Sequence, residues 1–238
     1  MQQKKSHVHN LRRAAKENPV IVAIIALCLA CFALFVGVAD QVTEGDTLAI
    51  DKQIMLALRN PADVTDPLGG PWLEEIMRDL TGLGGVFVLC FVTISVFIYL
   101  LVIRHGAHAL YIGLSIGTGL AFSSMLKYGF DRPRPDLVPH GSFVYTSSFP
   151  SGHSLMSALV YLTLGALLAE FQPNRALKVY ILAICVTVTL MVGCSRVYLG
   201  VHWPTDVLAG WLAGASWAML TWLVWARVLH TRRQRKSL

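Results

Sequence analysis

The sequence predicts an all-α fold: a polytopic membrane helical bundle of six transmembrane helices, with short amphipathic helices in its first outer loop. Three observations carry that expectation. The chain is 55% hydrophobic and only 14% charged, against about 25% charged residues in soluble domains. Its apolar runs suit a bilayer, which a helix crosses with about 20 mostly apolar residues. Basic and acidic residues also separate onto opposite sides of those runs.

The runs are 20–39, 85–103, 110–126, 179–194 and 207–226, with a shorter sixth at 154–168 that reaches spanning length as 151–170. The first follows a basic stretch, as a signal peptide would. It exceeds a signal's apolar region and lacks a small-residue cleavage site, so it reads as a retained anchor. No pair of spans repeats another. The chain thus divides into a basic N terminus (1–19), a six-span domain (20–227) and a basic tail (228–238).

The net charge of +6 raises the question of a nucleic-acid partner, and its placement answers against one. Lys4, Lys5, Arg12, Arg13 and Lys16 precede the first span; Arg227, Arg232, Arg233, Arg235 and Lys236 end the chain. With six spans these share one side with Arg104, Arg175 and Lys178, and the positive-inside rule makes that side cytoplasmic. Asp40, Glu44, Asp46, Asp51, Asp63, Asp66, Glu74, Glu75 and Asp79 gather on the other side. Cys28, Cys31, Cys90, Cys185 and Cys194 all lie in apolar runs, form no metal-type cluster and read as reduced, packed thiols.

The first outer loop, 40–84, holds two amphipathic patterns. Ile50, Ile54, Met55 and Leu58 recur at helical spacing among Asp51, Lys52, Gln53 and Arg59. Trp72, Leu73, Ile76, Met77 and Leu80 repeat the pattern among Glu74, Glu75, Arg78 and Asp79. Asn60–Pro61, Asp66–Pro67 and Gly69–Gly70–Pro71 mark the break between them. The pair either packs against span ends or lids a site at membrane level, and packing is the commoner use of an apolar face.

Three segments of the outer side carry chemistry: KYGFDRPRP (127–135), FPSGHS (149–154) and SRVYLGVHWPTD (195–206). Pro150 precedes a long apolar helix, with Ser151 and Gly152 at its entrance and His153 in its first turn. The first backbone N–H groups of a helix lack intrahelical partners and favour an anion, and glycine admits one closely. Pro204 suits the opening turn of another helix, and His202 and Asp206, four residues apart, share one side of it. Asp206 can then fix the tautomer of His202 and leave the other ring nitrogen open to attack. Lys127, Arg134 and Arg196 supply the cations that suit phosphoryl oxygens. An anion cradle, an oriented nucleophile and a separate acid are the requirements of phosphoryl transfer.

Together the three segments resemble the signature of the phosphatidic acid phosphatase type 2 superfamily, whose sites are similar to those of vanadium-dependent haloperoxidases. The pattern K-x6-R-P, P-S-G-H, S-R-x5-H-x3-D is met in order by Lys127, Arg134–Pro135, Pro150–Ser151–Gly152–His153, Ser195–Arg196, His202 and Asp206, over about 80 residues. The resemblance implies a membrane phosphatase, looking most like the bacterial inner-membrane members. His202 would form a phosphohistidine, Asp206 would orient it, and His153 would protonate the leaving oxygen. Lys127, Arg134, Arg196, Ser151 and the Gly152 backbone would hold the phosphate. No metal or other cofactor is implied. The expected substrate is a phosphorylated lipid such as phosphatidic acid, phosphatidylglycerol phosphate or undecaprenyl diphosphate. A lipid A phosphatase or phosphotransferase is the alternative within the family. In RPRP only Arg134 has the family spacing from Lys127, so Arg132 is read as a rim charge, and His140, in no motif, as an interfacial residue. Ser195 reads as structural.

Readings of other classes fit less well. A transporter predicts charges deep in its spans, and 20–39, 85–103 and 179–194 have none at their centres. A zinc site of His153, His202 and Asp206 leaves three nearby cations that repel the metal. The haloperoxidases are soluble proteins, unlike this chain.

Overall fold

The computed structural model describes residues 19–136 and 147–236, with side chains to residue 229. The basic residues before Pro19, and His140, lie outside the described residues. Among the described residues, eight helices and one small hairpin follow in order. They are α1 (Pro19–Glu44), α2 (Leu48–Leu56), β1 (Arg59–Asn60), β2 (Asp63–Pro67), α3 (Pro71–Leu83) and α4 (Val86–Val102). Then come α5 (Gly106–Gly129), α6 (Gly152–Glu170), α7 (Arg175–Tyr198) and α8 (Pro204–Lys236). The last helix has no break at 227; it runs from the span into the tail.

Five helices (α1, α5, α6, α7 and α8) are long and apolar enough to cross a membrane alone. The sixth expected span is α4, which has 17 residues; at 1.5 Å per residue it covers about 26 Å of a hydrocarbon core of about 30 Å. It reaches a full crossing only together with α3, from which it is bent by 46°. Gly84 and Gly85 make that corner, where the α3 ladder closes with Gly84 N–H on the Thr81 carbonyl (3.1 Å) and Gly85 N–H on that of Gly82 (2.9 Å).

The bundle is organised around α6, its most buried span, which packs chiefly on α8 and α7 and also on α5. Small residues set the closest approach. A Cβ added to Gly210 would stand 2.7 Å from the Ser151 carbonyl oxygen and 2.8 Å from Ser154 Cβ, and one on Gly214 would overlap the Leu155 carbonyl. Glycines four apart let two spans meet backbone to backbone. Here they bring the start of α6 against the start of α8, and the Ser151 N–H donates to the Asp206 carbonyl (2.9 Å). On the far side α1 lies along α8, where Phe35, Ala39 and Val42 join Phe149, Leu155, Ala209 and Ala213 in one cluster.

The 40–84 segment departs from the expected pair of surface helices in two ways. The break between them is an antiparallel hairpin, β1–β2, tied by Asn60 Nδ2 donating to Asp66 Oδ2 (3.0 Å). And α2 turns its charge inward. Asp51 and Met55 are fully buried, whereas Ile50 and Ile54 are 50% and 42% exposed. Arg59 is buried as well, donating from Nη2 to the Tyr198 carbonyl at the end of α7 (2.6 Å). Burying a charge is tolerated only with a partner; Asp51 is paired with Arg132 (2.7 Å), and Arg59 is held by the Tyr198 carbonyl. Along α3, Leu73, Met77 and Leu80 are part-buried on the side that packs on α7, while Trp72 and Ile76 face outward. The loop is thus packed onto the span ends. All five cysteines are free thiols, but Cys90 and Cys194 are exposed in the isolated chain rather than packed.

Candidate active site

Residues 199–206 build one wall of the site. The α7 helix ends with Leu199 N–H on the Ser195 carbonyl (2.9 Å), and Gly200 takes a positive φ of 72° that turns the chain. The next helix begins at Pro204, which has no N–H to leave unsatisfied. Its third residue, Asp206, reaches back to accept the Trp203 N–H (3.0 Å), the carboxylate half of a capping box. The Thr205 N–H is capped from another segment, by Asp51 Oδ1 of α2 (2.9 Å). Asp206 therefore does serve as a cap, and it does more than that.

Its Oδ2 also accepts from Ser148 Oγ and lies 3.4 Å from His202 Nδ1, while Ser148 Oγ lies 3.3 Å from that nitrogen. On the other edge of the ring, Arg134 Nη1 stands 3.2 Å from His202 Nε2. A guanidinium only donates, so Nε2 carries the lone pair and Nδ1 the hydrogen, an assignment read from the network. Arg134 also donates to the Val201 carbonyl (3.1 Å). His202 is 2% exposed. Burial disfavours its imidazolium and pushes its pKa down to about 4, against the opposing pull of Asp206. The ring is thus neutral at physiological pH, with its lone pair on the side of the cations. Burial also lowers the pKa of Arg134, with Asp206 opposing.

The other wall is the start of α6. Ser151 caps it, its Oγ accepting the Ser154 N–H (3.4 Å) and the Ser154 hydroxyl (3.0 Å). Gly152 follows, and the Lys127 side chain crosses directly over it: a Cβ there would lie 3.2 Å from Lys127 Cε and 3.5 Å from Nζ. Arg196, in the last turn of α7, donates from Nη1 to Thr81 Oγ1 of α3 (3.0 Å). The Nε atoms of Arg134 and Arg196 are buried without a hydrogen-bond partner. Unpaired buried donors of this kind suit an anion that pairs them.

Lys127, Arg134, Gly152, His153, Arg196 and His202 all line one cavity of about 490 Å³. Ser151 and Asp206 are fully buried behind that lining. The cavity continues between α4, α5 and α6 past Leu89, Ile94, Ile116, Leu120, Met156 and Val160. It therefore has a cationic end and an apolar end. Among the described residues no group of three or more His, Cys, Asp and Glu side chains is placed to hold a metal ion.

Known proteins resemble this chain in sequence and fold. The sequence profile of the PAP2 superfamily matches residues 108–229. The chain belongs to that superfamily. It is 38% identical over 149 residues to phosphatidylglycerophosphatase B of Bacillus subtilis, covering 60% of this chain and 71% of the relative. A lipid A 1-phosphatase of Rhizobium etli is 33% identical over 178 residues, covering 65% of this chain and 72% of that one. Among solved structures, the transmembrane PAP2 type phosphatidylglycerolphosphate phosphatase from Bacillus subtilis superposes with a TM-score of 0.73. It shares 30% identity, and the match covers 82% of this chain and 93% of that one. The chain is accordingly an integral membrane hydrolase of a lipid-phosphatase family.

Three residues that contact the candidate site carry no decisive signal of that placement in the sequence. Arg132 is no rim charge. Its side chain is 10% exposed and bridges Asp206 Oδ1 (2.5 Å) and Asp51 Oδ2 (2.7 Å). The doubled Arg-Pro of RPRP was the available signal, and family spacing selected only its second arginine. Asp51 looked like one polar position of an amphipathic helix. Ser148 stands just before the PSGH motif with nothing in its neighbourhood to single it out.

Proposed function

We propose that the protein hydrolyses a phosphorylated lipid, phosphatidic acid, phosphatidylglycerol phosphate or a polyprenyl diphosphate, through a phosphohistidine on His202. The observation that carries this reading is the two-ended cavity with His202 at its cationic end. Lys127, Arg134 and Arg196, with the Gly152 backbone, surround the phosphate, and the Ser151 hydroxyl supports the same helix start. The Nε2 lone pair attacks phosphorus while the bond to the lipid oxygen breaks. His153 gives that oxygen its proton. Asp206 stabilises the imidazolium that the attack creates. Water then attacks the N–P bond, His153 takes its proton, and inorganic phosphate leaves with His202 restored. The lipid chain lies in the apolar end, where Lys127 and Ile116 are eleven residues apart on α5, about 16 Å along the axis. The same site serves a lipid A 1-phosphate or a phosphotransfer in which an alcohol replaces water.

Phosphate release from purified enzyme tests this reading, on phosphatidic acids of increasing chain length and on glycerol phosphate, with and without EDTA. Activity should survive EDTA, and KM should fall as the chain lengthens. Leu120→Trp, which fills the apolar end, should raise KM for long chains and leave glycerol phosphate unaffected. Chain-independent KM, or loss of activity to EDTA with recovery on zinc, contradicts it. Orthovanadate, which adopts a five-coordinate geometry like that of the transferring phosphoryl group, should inhibit competitively.

The charge asymmetry supports a bacterial inner-membrane location with both termini cytoplasmic and the site facing the periplasm. Thr65 is exposed on β2. Thr65→Cys in a cysteine-free background should react with an impermeant thiol reagent in intact spheroplasts; reaction only after lysis reverses the topology.

The depressed pKa of His202 sets the acid limit. With the ring neutral down to about pH 4, the limb of kcat/KM assigned to it should lie near that value rather than near about 6.5. Asp206→Asn removes the charge that opposes burial, so the limb should move lower still while the rate falls. A limb that stays at 6.5 in both enzymes places another group in control.

A further inference from the structure

The loop and the first outer helix meet behind the site in a chain of charges. Arg132 Nη1 donates to Asp206 Oδ1 (2.5 Å) and to Thr205 Oγ1 (2.8 Å). Its Nη2 donates to Asp51 Oδ2 (2.7 Å) and to Thr47 Oγ1 (3.1 Å). Asp51 takes the Thr205 hydroxyl on Oδ2 (2.6 Å) and the Thr205 N–H on Oδ1 (2.9 Å). Both carboxylates are fully buried. The guanidinium also lies 5.7 Å from the Trp203 ring centroid, and Trp203 Nε1 donates to the Pro133 carbonyl (2.9 Å). Arg132 is thereby fixed by groups before and after it in the chain. Among the described residues, neither Arg132 nor Asp51 lines the cavity.

We propose that Arg132 and Asp51 are positioning residues for the reaction, a buried bridge that holds the Asp206 carboxylate in the orientation that keeps His202 as its Nδ1–H tautomer. This rests on the reading of His202 as the nucleophile. Asp206 shares Oδ2 among Ser148, Trp203 N–H and His202, at 3.4 Å from the ring nitrogen. That long separation depends on the angle of the carboxylate, and Arg132 fixes the angle by holding the other oxygen. One arginine on Asp206 alone would draw its charge away from the imidazolium. Asp51 balances that cation, so the pair of carboxylates leaves Asp206 its negative charge. A lysine carries the charge but not the fork that spans two carboxylates.

Full-length enzyme carrying Arg132→Gln, Arg132→Lys, Asp51→Asn or Asp206→Asn, and Asp51→Asn with Asp206→Asn combined, is compared with wild type. Three readouts are taken: kcat and KM on p-nitrophenyl phosphate and dioctanoyl phosphatidic acid, thermal stability, and the His202 tautomer by ¹⁵N NMR of histidine-labelled protein. Outer-shell partners of metal-ligating histidines typically affect activity by about 10–100-fold, and a partner that orients His202 through Asp206 is expected to act on the same scale. Arg132→Gln should lower kcat by about 100-fold and Asp51→Asn by about 10-fold, with KM within a few-fold. Arg132→Lys should recover part of the loss. The Nδ1–H signal of His202 should give way to a mixture of tautomers below the melting temperature, with no substrate needed. Asp51→Asn should add little on top of Asp206→Asn, because both act through one carboxylate. A wild-type tautomer in every folded variant, or a loss that falls on KM alone, overturns the proposal. Normal turnover by His202→Ala overturns the nucleophile reading instead, and leaves the tautomer readout to judge the bridge.

Discussion

Alanine at His202 is expected to abolish turnover for every substrate, because in the proposed mechanism it removes the atom that forms the new bond to phosphorus. Loss of a nucleophile whose partners act as a unit typically reduces kcat by about 10⁶-fold. The residual rate should be that of a phosphate held among Lys127, Arg134 and Arg196 and attacked by water. Substrate binding should survive, since those cations and the Gly152 backbone stay in place; KM or an inhibitor Kd should change little. The fold should survive too, because Asp206 keeps its bonds to Arg132 and Trp203 N–H. Rates and vanadate affinity measured on the same preparation separate these outcomes. A His202→Ala enzyme retaining a hundredth of the wild-type rate would assign the attack to another group.

His153→Ala should depend on the leaving group. A lipid alkoxide departs poorly without a proton, so phosphatidic acid hydrolysis should fall by about 10²–10⁴-fold, the usual scale of general acid catalysis. The anion of p-nitrophenol needs no proton, and that substrate should lose much less. Nothing else at the site predicts such a split. His153 begins the first turn of α6 and lines the cavity beside Arg196 and His202, so a purely structural loss there would slow both substrates alike. Equal losses on alkyl and aryl phosphates would remove the acid role from His153.

The spans were legible because lipid imposes one simple rule, long uninterrupted apolarity; five helices meet it alone, and α4 meets it only together with α3. The helix starts of α6 and α8 were legible from Pro150–Ser151 and Pro204, since caps act over a few residues. The cationic end of the cavity was legible because Lys127, Arg134, Gly152, His153, Arg196 and His202 fall in three short blocks with fixed spacing. What failed depended on partners distant in sequence. Asp51 and Arg132 are 81 residues apart, and nothing local marks either as buried. By helical periodicity alone Asp51 belongs to a polar face, and the usual rule turns that face to solvent. At a membrane edge the rule inverts for α2: Ile50 and Ile54 face out and the acid pairs inward. The hairpin was hidden for a related reason. Two short strands from Arg59 to Pro67 are too short to carry an alternating pattern, and their pairing is held by side chains such as Asn60 and Asp66.

Trapping the covalent intermediate tests the central claim most directly. An N–P bond is stable in base and labile in acid, so the enzyme is mixed with a phosphorylated lipid, stopped in alkaline denaturant within one turnover, and digested for mass spectrometry. One added phosphoryl group on the peptide bearing His202 is the expected result, accumulating further in the presence of little water and absent from His202→Ala. A phosphoryl group on His153, or burst-free hydrolysis with no modified peptide at any quench time, would contradict a phosphohistidine mechanism at His202.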